Sequence, residues 1–292
     1  MHRILIFNLG GTSTKLAVFD EETLVVEGTI RHTDREIQGC TDNAEQIAFR
    51  RGAIEAWLLE NHISLDDLSA VVIRSSGAGL CKKGGTYLVT GKLRDGMYAA
   101  YRSSFPKAPH PSFIVLPLAD EILGSRPVPI YIVDPDGVDE FQDVAYITGH
   151  PDLPRSSGFH VLNHKAIARK ASRDLGKRYE DADLVVAHMG GGISIAAHRH
   201  GLVVDSTSGG SAGEGPFGTN RTGPLPLNKL VDRCFSGAYT KSEIMDLIMT
   251  QGGFLAHTGC TDLRIIEQKA AAVDADCDLI IRAFIYHVCR YI

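Results

Sequence analysis

One arrangement of apolar and polar positions occurs twice along the chain. Residues 3–28 read RILIFNLGGTSTKLAVFDEETLVVEG, and residues 183–206 read DLVVAHMGGGISIAAHRHGLVVDS. Each copy passes through an apolar run, one polar residue, a glycine-rich turn, a second run, a tight turn, and then Leu-Val-Val. Short apolar runs bounded by turn residues predict strands, so each copy predicts a strand–turn–strand–turn–strand unit. Asn8 and His188 hold the same place in their copies, as do 24–26 and 202–204. In the first copy the strands are expected at 4–8, 16–20 and 24–28, with a turn at Glu21 and Glu22.

Further along, Ile47, Ile54, Trp57 and Leu58 recur at helical spacing and predict a helix over 44–61, capped by Asp42 or Asn43. The run 69–74 reads as a buried strand that delivers Arg74 into a Ser-Ser-Gly-Ala-Gly loop. A second such strand, 128–133, ends on Asp134-Pro135. Strand ends of this kind are where ligands sit in open α/β sheets. Helices are predicted over 165–175, over 241–251 (closed by Gly252 and Gly253) and over 261–272. A last helix starts near Asp276, with Leu279, Ile280, Ala283, Phe284, Val288 and Tyr291 on its apolar side. That pattern is still running at Ile292, so the final domain is expected to be incomplete. A connector at 154–158 divides the chain into expected domains of 1–152 and 153–292.

The chain has 292 residues, enough for one large or two medium domains with a sizeable core. Its net charge of −5 comes without any basic stripe, which excludes a general nucleic-acid binder. A charged substrate must therefore be held by a few placed cations. No run approaches the ~20 apolar residues of a membrane-spanning helix. Met1-His2-Arg3 leads straight into the first strand, leaving no room for a signal peptide. Six cysteines without a C-x-x-C pair fit reduced thiols in a cytoplasmic protein.

Residues 8–15, NLGGTSTK, are neither a P-loop nor a dinucleotide fingerprint, because a strand follows the turn where those motifs need a helix. Gly10 and Gly11 open the backbone, Thr12, Ser13 and Thr14 offer hydroxyls, and Lys15 brings a point charge. This set suits a phosphoryl group, although an ordinary Gly-Thr hairpin with a solvated lysine would look similar. His188 precedes Gly190, Gly191 and Gly192, and its ring could bond a phosphate oxygen or serve the structure. His160 and His164 share a helix face. Zinc would need a third ligand that the sequence does not supply, and donation to a charged oxygen is the better reading of His160. His198 and His200 flank a turn and are expected to face solvent. The stretch 206–223 is a flexible linker or a functional loop. Its position directly after a strand, and its Glu214 and Arg221, favour the loop. Two guanidinium groups, Arg74 and Arg221, could hold a carboxylate and neutralise a migrating phosphoryl group, with Asp134 orienting Mg²⁺ or the reacting groups.

At these residues the chain resembles the acetokinase family, and the butyrate kinase branch more than the acetate kinase branch. NLGGTSTK (8–15), IVDPDGVDE (132–140), FHVLNHKAIARK (159–170), VVAHMGGGISIAAHRHG (185–201) and GEGPFGTNRTGPLP (213–226) carry the resemblance. It implies an α/β fold of duplicated ribonuclease-H-like (actin-like ATPase) domains with mixed β-sheets flanked by helices. The active site is then expected in the interdomain cleft, with an N-terminal acyl-substrate side and a C-terminal nucleotide-binding side. The implied activity is reversible, Mg²⁺-dependent phosphoryl transfer from ATP to butyrate or a similar short-chain acid. Position by position, Asn8, Ser13 and Lys15 match the family's phosphate and Mg²⁺ motif, with Asn8 and Ser13 at the metal and Gly10, Gly11 and Thr12 within the same turn. Arg74 and Arg221 match its two active-site arginines, and Asp134 its catalytic aspartate. His160 and His188 match its phosphate-contacting histidines, and Gly190, Gly191 and Gly192 its ATP-phosphate loop. A homo-oligomer acting on small molecules is also implied.

Two departures stand out: Leu9 and Gly11 replace the Pro and Ser of the usual Asn-Pro-Gly-Ser turn, and family members continue beyond the helix at Asp276. A carboxylate is already ionised near neutral pH, so no base is needed, and Asn8 suits such a substrate better than an aspartate would. The rival readings are another small acid (acetate, propionate or a branched acid) and a nucleotide-binding relative without catalysis.

Overall fold

In the computed structural model, which describes residues 1–104, 111–207 and 214–292, strand β1 (Arg3–Leu9) buries Leu5, Phe7 and Leu9. The strand period of two turns Ile6 and Asn8 to its other face. β1 pairs antiparallel with β2 (Ser13–Asp20), and β2 with β3 (Thr23–Arg31). On its other side β1 runs parallel to β4 (Ala70–Ile73), and β4 runs parallel to β6 (Ile130–Val133). β5 (Thr86–Leu88) closes that edge antiparallel, giving the order β3-β2-β1-β4-β6-β5.

Helices α1 (Asp34–Gly39), α2 (Asn43–Glu60), α3 (Gly91–Ser103) and α4 (Pro111–Leu123) complete this unit. Asp42 caps α2, its side chain accepting the Glu45 N–H. Ile47, Ile54 and Leu58 of α2, with Ile114 and Leu118 of α4, form one core with Phe7, Val71 and Ile132. Trp57 packs against the same core beside β3. A Cβ at Gly28 would stand 2.2 Å from Trp57 Nε1, so only glycine lets the indole lie on that strand.

The chain divides into two compact units, Met1–Val138 and Asp139–Ile292. The division falls ahead of the boundary expected at 152, and hydrogen bonding explains why. Glu140 is buried with Lys165 (Nζ to Oε1 2.9 Å) and accepts the Val203 N–H at 2.9 Å. The Gln142 N–H bonds Val204 O at 3.1 Å. The segment after Val138 is thus anchored to the second unit.

That unit opens with α5 (Val161–Asp174) and the sheet β7 (Leu184–Met189), β8 (Ile193–Arg199), β9 (Leu202–Ser206), in the order β7-β8-β9. Its described strands pair antiparallel throughout. Helices α6 (Leu227–Cys234), α7 (Lys241–Met249), α8 (Gly253–Thr258), α9 (Leu263–Ala271) and α10 (Ala275–Cys289) follow. Phe254, Ile266 and Ile280 bring α8, α9 and α10 together in one core with Phe217.

The repeat seen in the sequence is a repeat in the backbone. Asn8 pairs with Lys15, and His188 with Ser194. A register shift follows Val18 in one copy and Ala197 in the other, at the same offset from those partners (15 to 18, 194 to 197). Three residues further on, Glu21 and His200 both take left-handed backbone, with φ of 54° and 52°. Among the described residues no helix is long and apolar enough to cross a membrane.

Candidate active site

In the first unit the register of the parallel strands sets Phe7 beside Ile73, and Ile73 beside Ile132. Asn8, Arg74 and Asp134 therefore leave the same edge of the sheet, and the Arg74 N–H bonds Phe7 O at 3.0 Å. Asn8 and Lys15, paired across the hairpin, lie on the face opposite the core. A depression of ≈ 470 Å³ on that face is lined by Ile6, Asn8, Lys15, Glu27 and Thr29.

The turn between β1 and β2 is closed by the Gly10 N–H on Ser13 O at 2.8 Å. The Gly10 and Gly11 carbonyls are held from behind by Arg50 of α2. Arg50 Nη2 donates to Gly10 O and Gly11 O, both at 2.9 Å, and Nη1 donates to Ser13 O at 3.0 Å and Thr14 Oγ1 at 2.9 Å. In a planar trans peptide the C=O and the following N–H point opposite ways. Drawing the Gly10 and Gly11 carbonyls toward Arg50 therefore turns the Gly11 and Thr12 N–H groups away from it, toward the exposed side of the turn. Successive outward amides are the backbone element of an anion nest. Arg50 is fully buried, and burial pushes its guanidinium down to about 10, which leaves it charged at neutral pH.

Arg74 meets Asp136, Nη2 to Oδ2 at 3.3 Å. Asp134 is buried in left-handed backbone (φ 43°), and its Oδ1 accepts the Gly85 N–H at 2.8 Å. Aspartate is one of the few residues that tolerate that conformation.

In the second unit His160 stands at the N-terminus of α5 and stacks on His188, ring centroids 3.9 Å apart and planes at 13°. His188 Nδ1 lies 3.0 Å from Asn163 Oδ1. A Cβ on Gly192 would be 2.9 Å from His160 Nε2 and 3.2 Å from Arg221 Nη1. His160, His188, Gly190, Gly191, Gly192 and Arg221 thus come together around one glycine turn. The loop carrying Arg221 is not a slack linker. The Gly218 N–H bonds Arg221 O, and the opening N–H groups of α8 (Phe254 and Leu255) bond Gly218 O and Thr219 O. The loop thereby satisfies helix-start donors that would otherwise lack partners. Residues 208–213 of the expected functional loop, Gly213 included, lie outside the described residues.

His160 and His164, one turn apart, both meet the hydroxyl of Ser194, at 2.8 Å from Nδ1 and Nε2 respectively. His164 Nδ1 lies 3.3 Å from His198 Nε2, and His198 Nδ1 lies 2.7 Å from Tyr179 Oη. The expectation that His198 faces solvent is corrected: it is buried, because the strand period puts it on the same face of β8 as Ser194. His200, at the turn, is exposed as expected. Burial, reinforced by the charges of neighbouring groups, pushes His164 and His198 down to about 4.

Sequence reasoning singled out neither Arg50, Asp136 nor Ser194. One signal was available: Arg50 falls on the helix stripe defined by Ile47 and Ile54, where a charge needs a buried purpose.

Among the described residues no cluster of three His, Cys, Asp or Glu could hold a metal. Asn8 and Ser13 present neutral oxygens beside the anion nest. That donor set fits Mg²⁺ bound largely through phosphate oxygens, the usual habit of this ion, rather than a resident cation in a carboxylate cage.

Comparison with known structures places this architecture. Acetate kinase from Porphyromonas gingivalis matches with a TM-score of 0.78 at 18% identity, over 100% of this chain and 78% of that one. A propionate kinase from Francisella tularensis matches with a TM-score of 0.74 at 19% identity, over 100% of this chain and 79% of that one. The fold is the actin-like ATPase fold. Residues 150–292 match the Acetokinase family. Butyrate kinase 1 from Clostridium acetobutylicum is 39% identical over 294 residues, spanning 100% of this chain and 80% of that protein. A probable butyrate kinase from Clostridium botulinum is 39% identical over 293 residues with the same coverage. The chain belongs to the acetokinase family and is a carboxylate kinase.

Proposed function

We propose that this kinase moves a phosphoryl group reversibly between ATP and butyrate or a similar short-chain acid. The observation that carries the reading is the convergence of His160 and Arg221 on Gly192, where a missing Cβ leaves two donors beside bare backbone. In this reading Arg74 holds the acid's carboxylate, which is already ionised and needs no base. One of its oxygens attacks the terminal phosphorus in line, forming the O–P bond as the bond to the ADP oxygen breaks. His160 and Arg221 donate to the equatorial oxygens as charge spreads over them.

Asn8, Gly10, Gly11, Thr12, Ser13 and Lys15 contact phosphate on one side of the reaction. His188 and Gly190, Gly191 and Gly192 hold the nucleotide's phosphates. Asp134 supports the loop that brings Asp136 to Arg74. When bound, Mg²⁺ would neutralise phosphate charge, held by Asn8 and Ser13. The first unit is assigned the acyl side and the second the nucleotide. Mg²⁺, a cytoplasmic setting and a homo-oligomeric state rest on the family resemblance.

The test is acyl-phosphate formation, trapped as the hydroxamate, with ATP, Mg²⁺ and acetate, propionate, butyrate or isobutyrate in turn. The proposal expects the highest kcat/KM with butyrate. One methylene in an apolar pocket is worth only ~1–3 kcal/mol, so the neighbouring acids should react more slowly rather than not at all. Absence of hydroxamate with every acid would sink the proposal.

A further inference from the structure

We propose that Ser194 is a positioning residue which, with the buried chain His164, His198 and Tyr179, holds His160 in the tautomer carrying its proton on Nε2. The inference rests on the reading of His160 as a donor to the transferring group. It begins with what a single hydroxyl can do.

Ser194 is fully buried and meets three groups: the His160 backbone N–H at 3.3 Å, His160 Nδ1 at 2.8 Å and His164 Nε2 at 2.8 Å. A hydroxyl has one proton to give and two lone pairs. The backbone N–H can only donate, so it takes one lone pair. Of the two ring nitrogens, one must then donate to the serine and the other must accept from it. The tautomers of His160 and His164 are thereby tied to each other. His164 is tied in the same way to His198 across 3.3 Å, and His198 to Tyr179 across 2.7 Å. A neutral imidazole has one N–H and one lone pair, so a choice made at one end runs through to the other. Both inner rings are held neutral by burial, as such a chain requires.

The direction is set at Tyr179. Lys165 Nζ and the Arg169 guanidinium lie 5.6 and 5.8 Å from its ring centroid, and two cations over the ring favour the phenol as donor. Tyr179 then donates to His198 Nδ1, His198 Nε2–H to His164 Nδ1, His164 Nε2–H to Ser194, and Ser194 to His160 Nδ1. The proton of His160 is left on Nε2, the atom that faces Gly192 alongside Arg221 Nη1. Glu140 is paired with Lys165, and the His188 ring stacks on His160.

The experiment uses the full chain with ¹⁵N-labelled histidine, assigned residue by residue, and reads two-bond ¹H–¹⁵N correlations, which report each tautomer whether or not the enzyme turns over. His160 in the wild type is expected to show a protonated Nε2 and an unprotonated Nδ1. Tyr179→Phe removes the terminal donor and Ser194→Ala the pivot. Each should give His160 a mixture of tautomers and lower kcat by about 10–100-fold, with KM for ATP and acid unchanged. Ser194→Thr, which keeps the hydroxyl, should restore the wild-type pattern. A wild type protonated on Nδ1, or an unchanged His160 pattern in both Tyr179→Phe and Ser194→Ala, overturns the proposal. Tautomer changes as expected in a chain that phosphorylates no acid would uphold the chain of hydrogen bonds and refute the carboxylate substrate instead.

Discussion

Replacing Gly192 by alanine tests the proposed active centre at its tightest point. The backbone at Gly192 is not left-handed, so alanine carries no conformational penalty there and the effect comes from the added methyl alone. That methyl would stand 2.9 Å from His160 Nε2, 3.0 Å from its Cε1 and 3.2 Å from Arg221 Nη1, where ordinary contact begins at 3.4 Å. The imidazole must give way by about 0.5 Å, and the guanidinium by less. Ser194 and the stacked His188 oppose the shift of the ring, so the strain falls in the usual range for overpacking, about 1–3 kcal/mol. Misplacing a group by about 1 Å costs on the order of 100-fold in rate, so kcat should fall by about 10–100-fold. Hydroxamate trapping measures the rate, and urea denaturation of the same sample shows that the fold survives. A Gly192→Ala enzyme with wild-type kcat would refute the placement of His160 and Arg221 around the transferring group.

Gly191→Ala is the complementary probe, because a Cβ there meets nothing within 4 Å. Stability should be unchanged while KM for ATP rises about tenfold, and an unaltered KM would remove Gly191 from the nucleotide site. Arg50→Met should lower stability by about 2–4 kcal/mol in urea titrations, since it strands the carbonyls of the β1–β2 turn, and it should also raise KM for the phosphate-bearing substrate. Acid should destabilise the second unit. His164 and His198 titrate near 4 when folded and near 6.5 when unfolded, so the unfolded chain takes up protons first as pH falls. Stability is complete above about pH 6.5 and is lost toward pH 4, by about 3 kcal/mol for either group. Denaturation series between those pH values, compared with His198→Phe, check this: the variant should show a flatter profile.

Much of the scaffold could be read from the sequence because it is local. Strand period, glycine turns and helix stripes place β1, β2, β3 and α2 from neighbours along the chain, and the repeat extends to equivalent bulges. The partners of the site residues are a different matter. Arg50 reaches its carbonyls across some 40 positions, Ser194 meets histidines from another element, and Asp136 meets Arg74 only because two loops end at one sheet edge. Such pairings are set by register and crossover, which no short window of sequence contains. His198 was misread for the same reason: proximity to a turn suggested solvent, whereas the alternation of β8 carries it inward. The boundary near 152 was drawn from proline and glycine content, and the buried Glu140–Lys165 pair overrides that signal.

Trp57, pressed against β3 where Gly28 makes room, is the only tryptophan in the chain. Emission excited at the red edge of its absorption is therefore a spectroscopic label for the first unit alone, supplied by nature and needing no dye. Followed beside far-ultraviolet circular dichroism, it would show whether the two halves melt in concert or in turn.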